Sequence, residues 1–231
     1  LYSSSALCST GFSRKHGRAA TVSAFPGSPR TLQGALVAID PLMPIPTVVL
    51  FQYNPHTLTR QLEPRGADGG PAATSYTGAP VENITVEVEL DAADGLESRD
   101  DATLRYGLHP QLAALERLLY PPSARVIANT VLAALGTIEV VPPQGPMILF
   151  IWGPRRVLPV SVKQFSVTEE AHDPQLNPIR ARVQLGLRVL NTDDLGPLHP
   201  GHALFLAHQV AKEVLAAQAS ATNTSRALGV T

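Results

Sequence analysis

At 231 residues, with 44% hydrophobic and 16% charged positions, the chain has the composition of an ordinary folded protein and is long enough for one sizeable core with extra tails. Lys and Arg (18) nearly balance Asp and Glu (19), and the net charge of -1 provides no whole-protein attraction for nucleic acid or an anionic membrane. The single cysteine, Cys8, excludes an intramolecular disulfide and a thiolate metal cluster, and the longest strongly apolar run, Met147 to Trp152, falls far short of the roughly 20 residues a membrane-spanning helix needs.

Residues 1 to 33 read as a basic, flexible N-terminal tail. Through position 39 there is no Asp or Glu, while Arg14, Lys15, Arg18 and Arg30 stand among many Ser and Ala. Gly34 to Ile39 is a short strand, after which Pro41, Pro44 and Pro46 make a stiff connector. Thr47 to Tyr53 is β-branched and aromatic and stops at Asn54-Pro55, because a residue before proline is pushed out of the helical region. Residues 61 to 80, rich in Gly and Pro, predict a long loop.

Val81 to Leu90 alternates, with Ile84, Val86, Val88 and Leu90 on one face and Thr85, Glu87 and Glu89 on the other, as in a half-buried strand. An acidic turn follows. Leu108, Leu112, Leu115, Leu118 and Leu119 recur at helical spacing up to Pro121-Pro122 and predict a helix over about 109 to 120, with a second over Val126 to Leu135. Met147 to Trp152, bounded by Pro146 and Gly153-Pro154, reads as a strand buried on both faces, and Val160, Val162, Phe165 and Val167 mark the next one.

The clearest alternation sets Ile179, Ala181, Val183, Leu185, Leu187 and Val189 against Arg180, Arg182, Gln184, Gly186 and Arg188. Each large aliphatic buried there contributes roughly 1.5 to 3 kcal/mol before entropy. Residues 34 to 192 are thus expected to form the β domain, with Ile84, Val86, Val88, Phe150, Trp152, Val183, Leu185 and Leu187 in its core. Residues 193 to 231 form a helical extension, its helix centred on Ala203 to Ala217.

The seven histidines lack metal or catalytic spacing, and the acidic residues Asp91, Asp94, Glu97, Asp100 and Asp101 lack the one-three-five oxygen pattern of a calcium loop. No nucleophile elbow, phosphate loop or dinucleotide fingerprint is present. The expectation is a non-enzymatic protein without a cofactor or metal. The three arginines Arg180, Arg182 and Arg188 on one strand face suit either solvent or a partner. Arg155 and Arg156 in Gly-Pro-Arg-Arg suit either a basic turn or an anion site. Tyr53 at a strand end, with Asn54 beside it, and Tyr76 in the long loop complete the candidates for assembly contacts.

Four segments, in order, resemble the tube-type domain of baseplate proteins from phage-tail-like contractile injection systems, the family whose longer members carry a C-terminal LysM module. They are Phe51-Gln-Tyr-Asn-Pro55, Val-Glu-Val-Glu-Leu-Asp at 86 to 91, Met147 to Gly153 after Pro142-Pro143, and Asn177-Pro-Ile-Arg-Ala-Arg-Val183. The resemblance spans roughly residues 34 to 192. It implies a mainly β protein with flanking helices, a tail-tube-like β-barrel or sandwich, working as a structural subunit. Such a subunit forms a hexameric ring at the baseplate and inner-tube junction, between spike and tube, in a particle assembled in the bacterial cytoplasm. The implied partners are other copies of itself and neighbouring tube, spike and baseplate proteins, with no nucleic acid and no membrane insertion. The loop at 61 to 80 is the expected ring contact. No LysM-like stretch follows residue 192, so peptidoglycan binding is not carried over. The competing reading is a stand-alone β-sandwich module that binds carbohydrate or protein and stays monomeric.

Overall fold

β7 (Pro178–Val189) organises the structure, because it is hydrogen-bonded to a strand on each side and alternates buried and outward residues along most of its length. The computed structural model describes residues 32–40, 46–66, 77–134, 136 and 145–227. Among these residues six other strands join β7: β1 (Ala35–Ile39), β2 (Thr47–Leu50), β3 (Leu58–Glu63), β4 (Val81–Asp91), β5 (Met147–Ile151) and β6 (Val157–His172). Together they make one open antiparallel sheet in the order β2-β1-β5-β6-β7-β4-β3. The protein is therefore mainly β with added helices.

The inward face carries a single core. Ile84, Val86, Val88, Phe150, Val183, Leu185 and Leu187 are each 0–1% exposed. Trp152 is half-buried, packing on that core against Phe150, 5.9 Å between ring centroids, and Phe51, 6.4 Å. β5 buries three consecutive residues, Ile148, Leu149 and Phe150, as a strand covered on both faces does. In β6 the inward positions step from Val162 to Phe165 because a bulge sets one extra residue between Val162 and Gln164 and shifts the alternation. Gly186 stands opposite that bulge, where a Cβ would meet Gln164 Cβ at 2.9 Å.

The sheet is strongly rolled. Laid flat, β2 and β4 would stand five strand spacings apart, about 24 Å. Yet Gln52, two residues and about 7 Å of chain beyond β2, donates its amide to Asp91 O at 2.8 Å and accepts from Asp91 N at 2.9 Å. Its side chain takes the place of a neighbouring strand on the stretch of β4 that β3 leaves free. Gly34 is needed at the same corner, since its carbonyl accepts from Phe51 N and a Cβ would lie 2.7 Å from the Phe51 ring.

Among the described residues five helices join the sheet: α1 (Ala93–Glu97), α2 (Asp101–Tyr106), α3 (His109–Glu116), α4 (Ser123–Ala134) and α5 (Pro200–Ala227). Leu108, Leu112, Leu115 and Leu118 pack from the α3 region into the core. The helical stretch is tied to the start of β7 by Ala92 N to Ile179 O and Leu108 N to Pro178 O. Gly107, at φ 54, lets the chain pass Pro178 O, only 2.5 Å from where a Cβ would sit. α5 packs on β6 and sends Phe205 into the core. Its first turns thus belong to the body of the domain, while the side chains described from Glu213 onward are exposed.

The structure departs from the sequence reading at several places. β2 ends at Leu50, so Tyr53 lies outside the strand. Residues 58 to 63, partly assigned to the long loop, are β3, and the acidic turn holds α1 and α2. α5 is longer at both ends than the helix centred on 203 to 217. Of the long loop, residues 67 to 76 lie outside the described residues, and Tyr76 with them. So does the N-terminal tail as far as residue 31.

Replacing Gln52 with Leu keeps much of the volume and leaves the Asp91 N–H and C=O unpaired. Loss of about 1–3 kcal/mol is expected from urea unfolding. Val183→Asp places an unpaired charge at a fully buried position and is expected to yield no folded protein, read by near-ultraviolet dichroism.

Candidate functional site

The outward face of β7 is a charged ladder set by strand register. Arg182 stands opposite Glu89 of β4 and Thr168 of β6. Its Nε lies 3.2 Å from Glu170, 3.6 Å from Glu89 and 4.0 Å from Glu87. Arg180 stands opposite Asp91 and binds its carboxylate at 2.9 Å, and Arg188 binds Asp194 at 2.8 Å. Each arginine of the strand therefore has an acidic partner within the chain. These pairs are exposed or half-exposed, so solvent screens them and each contributes little to stability.

Tyr53 is brought to the Arg180–Asp91 corner. Its hydroxyl is held above the ordinary range by partial burial and by the Asp94 and Asp91 carboxylates, against the pull of Arg180. Asn54 works internally, accepting from Gly34 N at 2.9 Å and donating to Leu32 O at 2.7 Å. For Asp91, desolvation raises the pKa, but the Ala93 N–H and the Arg180 guanidinium outweigh it and the carboxyl ends below its usual value. Asp100, which caps α2 through Thr103 N and Oγ1, is also lowered, as is Asp173 through Asn177 in the β6–β7 turn. The candidates thus fall into separate places: Tyr53, Asn54 and Arg180 at one corner, Arg182 in the middle of the ladder, Arg188 beside Asp194, and Arg155 with Arg156 in the β5–β6 turn.

A feature invisible to side-chain patterning lies on β6. β5 pairs only with Val157 to Val160, whereas β7 pairs with β6 as far as His172. Among the described residues no strand pairs with the other side of β6 from Ser161 to His172, a bare edge beside the best-paired strand of the sheet. Val162, Phe165 and Val167 are half-buried along it. An edge of this kind offers backbone donors and acceptors to an added strand.

The second concentration of chemistry gathers around Glu82. Glu82 is 4% exposed, and its carboxylate is held by Arg60 at 2.6 Å and Lys212 at 3.3 Å. His208 of α5 lies near Lys212, Glu82 and Arg156, and neither ring nitrogen has a hydrogen-bond partner. Burial, then the Lys212 ammonium, pushes the imidazole below its ordinary pKa. The Arg155 backbone, outside hydrogen-bonding geometry, and Glu82 oppose the shift. Among the described residues no group of three or more His, Cys, Asp or Glu side chains is arranged to hold a metal, and no helix is long and apolar enough to cross a membrane. The chain matches no protein-family model and no curated protein.

The two sets of shifts separate in pH. A histidine lowered in the folded state binds fewer protons than the unfolded chain between its folded pKa and about 6.5, so stability falls as pH drops through that window. The lowered carboxyls of Asp91, Asp100 and Asp173 contribute stability that is present above about pH 4 and is lost only below it. Urea midpoints at pH 7.5 and 5.0 should fall for the wild type and fall less for His208→Gln. An equal drop in the two proteins would remove His208 as the cause.

Proposed function

We propose that the protein is a structural, non-catalytic subunit of a contractile injection system, forming a ring at the baseplate and inner-tube junction. The observation that carries this reading is the bare edge of β6, twelve residues from Ser161 to His172 alongside a fully paired β7. A strand from a second copy added there would extend the sheet from one subunit to the next. Such a contact joins two different surfaces, and it generates a ring where its rotation closes. The resemblance of residues 34 to 192 to tube-type baseplate domains supplies the hexameric arrangement and the tube, spike and baseplate proteins as neighbours.

The rolled sheet supports the barrel expected of that family. On this reading the Gln52–Asp91 bridge is the seam of a split barrel, and α3 with the first turns of α5 are its flanking helices. The ladder through Arg180, Arg182 and Arg188 has its charges paired within the subunit. Its role in assembly is to present alternating sign to a neighbour, which selects the partner more than it strengthens binding. The subunit would be assembled in the bacterial cytoplasm with the rest of the particle.

Light scattering and negative-stain imaging of the purified chain, alone and co-expressed with its genomic neighbours, test the reading. Rings or stacked discs are expected. Ser166→Lys with Thr168→Lys places charge on the edge at two exposed positions. It should leave the melting temperature within a few degrees of wild type and reduce the ring species at least tenfold. Arg182→Glu should likewise fold and assemble poorly. A wild-type chain that stays monomeric in both preparations overturns the proposal in favour of a stand-alone binding module.

A further inference from the structure

Charge interrupts the inward face of the sheet at one end of β4. Glu82 shares its buried face with Ile84, Val86 and Val88, and Arg60 shares the half-buried face of β3 with Leu58. Arg60 donates both Nε, at 2.7 Å, and Nη2, at 2.6 Å, to Glu82 Oε1, while Lys212 takes Oε2 at 3.3 Å. Each oxygen of the Glu82 carboxylate therefore already has a basic partner.

Two more basic groups converge on it. Arg156, half-buried in the β5–β6 turn, is close enough to feel the Arg60 charge and the Glu82 carboxylate, yet its guanidinium has no hydrogen bond or ion pair among the described residues. His208 reaches the same place from α5 with two buried, unpartnered ring nitrogens. Arg60, Arg156 and Lys212 set three permanent positive charges against one negative charge, an excess of two in a chain whose net charge is -1. Burial and the neighbouring Arg60 both act against the charged form of Arg156. A partly desolvated cation in a repulsive setting gains from any anion that reaches it, and a planar guanidinium matches two oxygens of one group.

We propose that Arg156, Lys212 and His208, with Arg155 at the exposed rim, form a binding site for an oxyanion bearing two or more acceptor oxygens. The source is either a free phosphate group or a carboxylate presented by a second copy of the chain. Arg156 supplies the bidentate contact, Lys212 a point charge shared with Glu82, and His208 a donor once an anion favours its protonated form. The site does not depend on the ring reading, because phosphate binding by a monomer would stand if no ring formed.

Inorganic phosphate, titrated into the full chain at constant ionic strength, is the probe, with the His208 imidazole followed by NMR and assigned through His208→Gln. A saturable upward shift of the His208 titration is expected. Arg156→Gln should weaken it at least tenfold, Arg156→Lys should retain part of the response, and Arg105→Gln on α2 should leave it unchanged. If phosphate has no effect but the His208 signal shifts saturably with protein concentration, and Arg156→Gln abolishes that shift, the anion is a carboxylate of a second copy. Absence of both responses overturns the proposal, as does a phosphate response of equal strength in Arg156→Gln.

Discussion

The apolar face of β7 is the constraint from which the other elements take their positions. Ala181, Val183, Leu185, Leu187 and Val189 are each 0–2% exposed, and the strand's two flanks are taken up by β4 and β6. Such a strand has only its two faces left, and one of them must be shut away from water. The helices cover little of the core: α3 is 8 residues long, and α5, though 28 residues long, places only Phe205, near its own beginning, in the buried cluster. The sheet supplies the remaining cover itself by rolling, so that Val49 and Phe51 at one edge and Ile84 to Leu90 near the other enter the same core.

Register then turns one-dimensional patterns into charge pairs. With Val183 opposite Val88, the pleat puts Arg182 opposite Glu89 and Arg180 opposite Asp91 on the outer face, and β6 contributes Glu170 from the other side. A slip of one residue would bury these arginines and expose the valines, so the core and the ladder specify the same pairing. In the sequence Arg180, Arg182 and Arg188 look like an excess of positive charge, because their partners lie far back on β4, across the hairpin on Glu170 of β6, or past the end of the strand on Asp194. The imbalance that persists in the fold is at Glu82, where the basic residues come from β3, the β5–β6 turn and α5 and no linear pattern unites them.

Elements with strong periodicity were legible in the residues, and those defined by tertiary contact were not. β4 and β7 bury most of the residues that their spacing marks, and β5 buries its central three; α3 ends at Glu116 and buries Leu112 and Leu115, while Leu119, marked by the same spacing, is exposed. β3 is different: Leu-Thr-Arg-Gln-Leu-Glu has only a thin apolar face, and it is a strand because six of its residues pair with β4 at an edge. α2 depends on the Asp100 cap, a single side chain inside a segment that reads as an acidic turn. The far half of β6 continues through Thr-Glu-Glu-Ala-His, polar residues that become strand because β7 pairs with them. Gln52 is the extreme case, since its closing role rests on two hydrogen bonds to a backbone 39 residues away.

Among the described residues, the free edges of the sheet are unequal. β2 has 4 residues and β3 has 6, including Arg60 and Glu63, so both are short, and charge blunts β3 against casual pairing. The bare side of β6 is longer, but it is not uniform. Its bulge beside Lys163 interrupts one end, and Glu169, Glu170 and His172 crowd the other. Between them Phe165 to Thr168 keeps regular register with β7 through Leu185, Gln184, Val183 and Arg182. A strand docking there meets a short, regular ladder bracketed by a cation on one side and carboxylates on the other. Only a partner of opposite charge order fits without placing like charges together, and a register slip in either direction meets the bulge or the acidic pair. Any strand added at this edge would thus be limited in its charge order and its register.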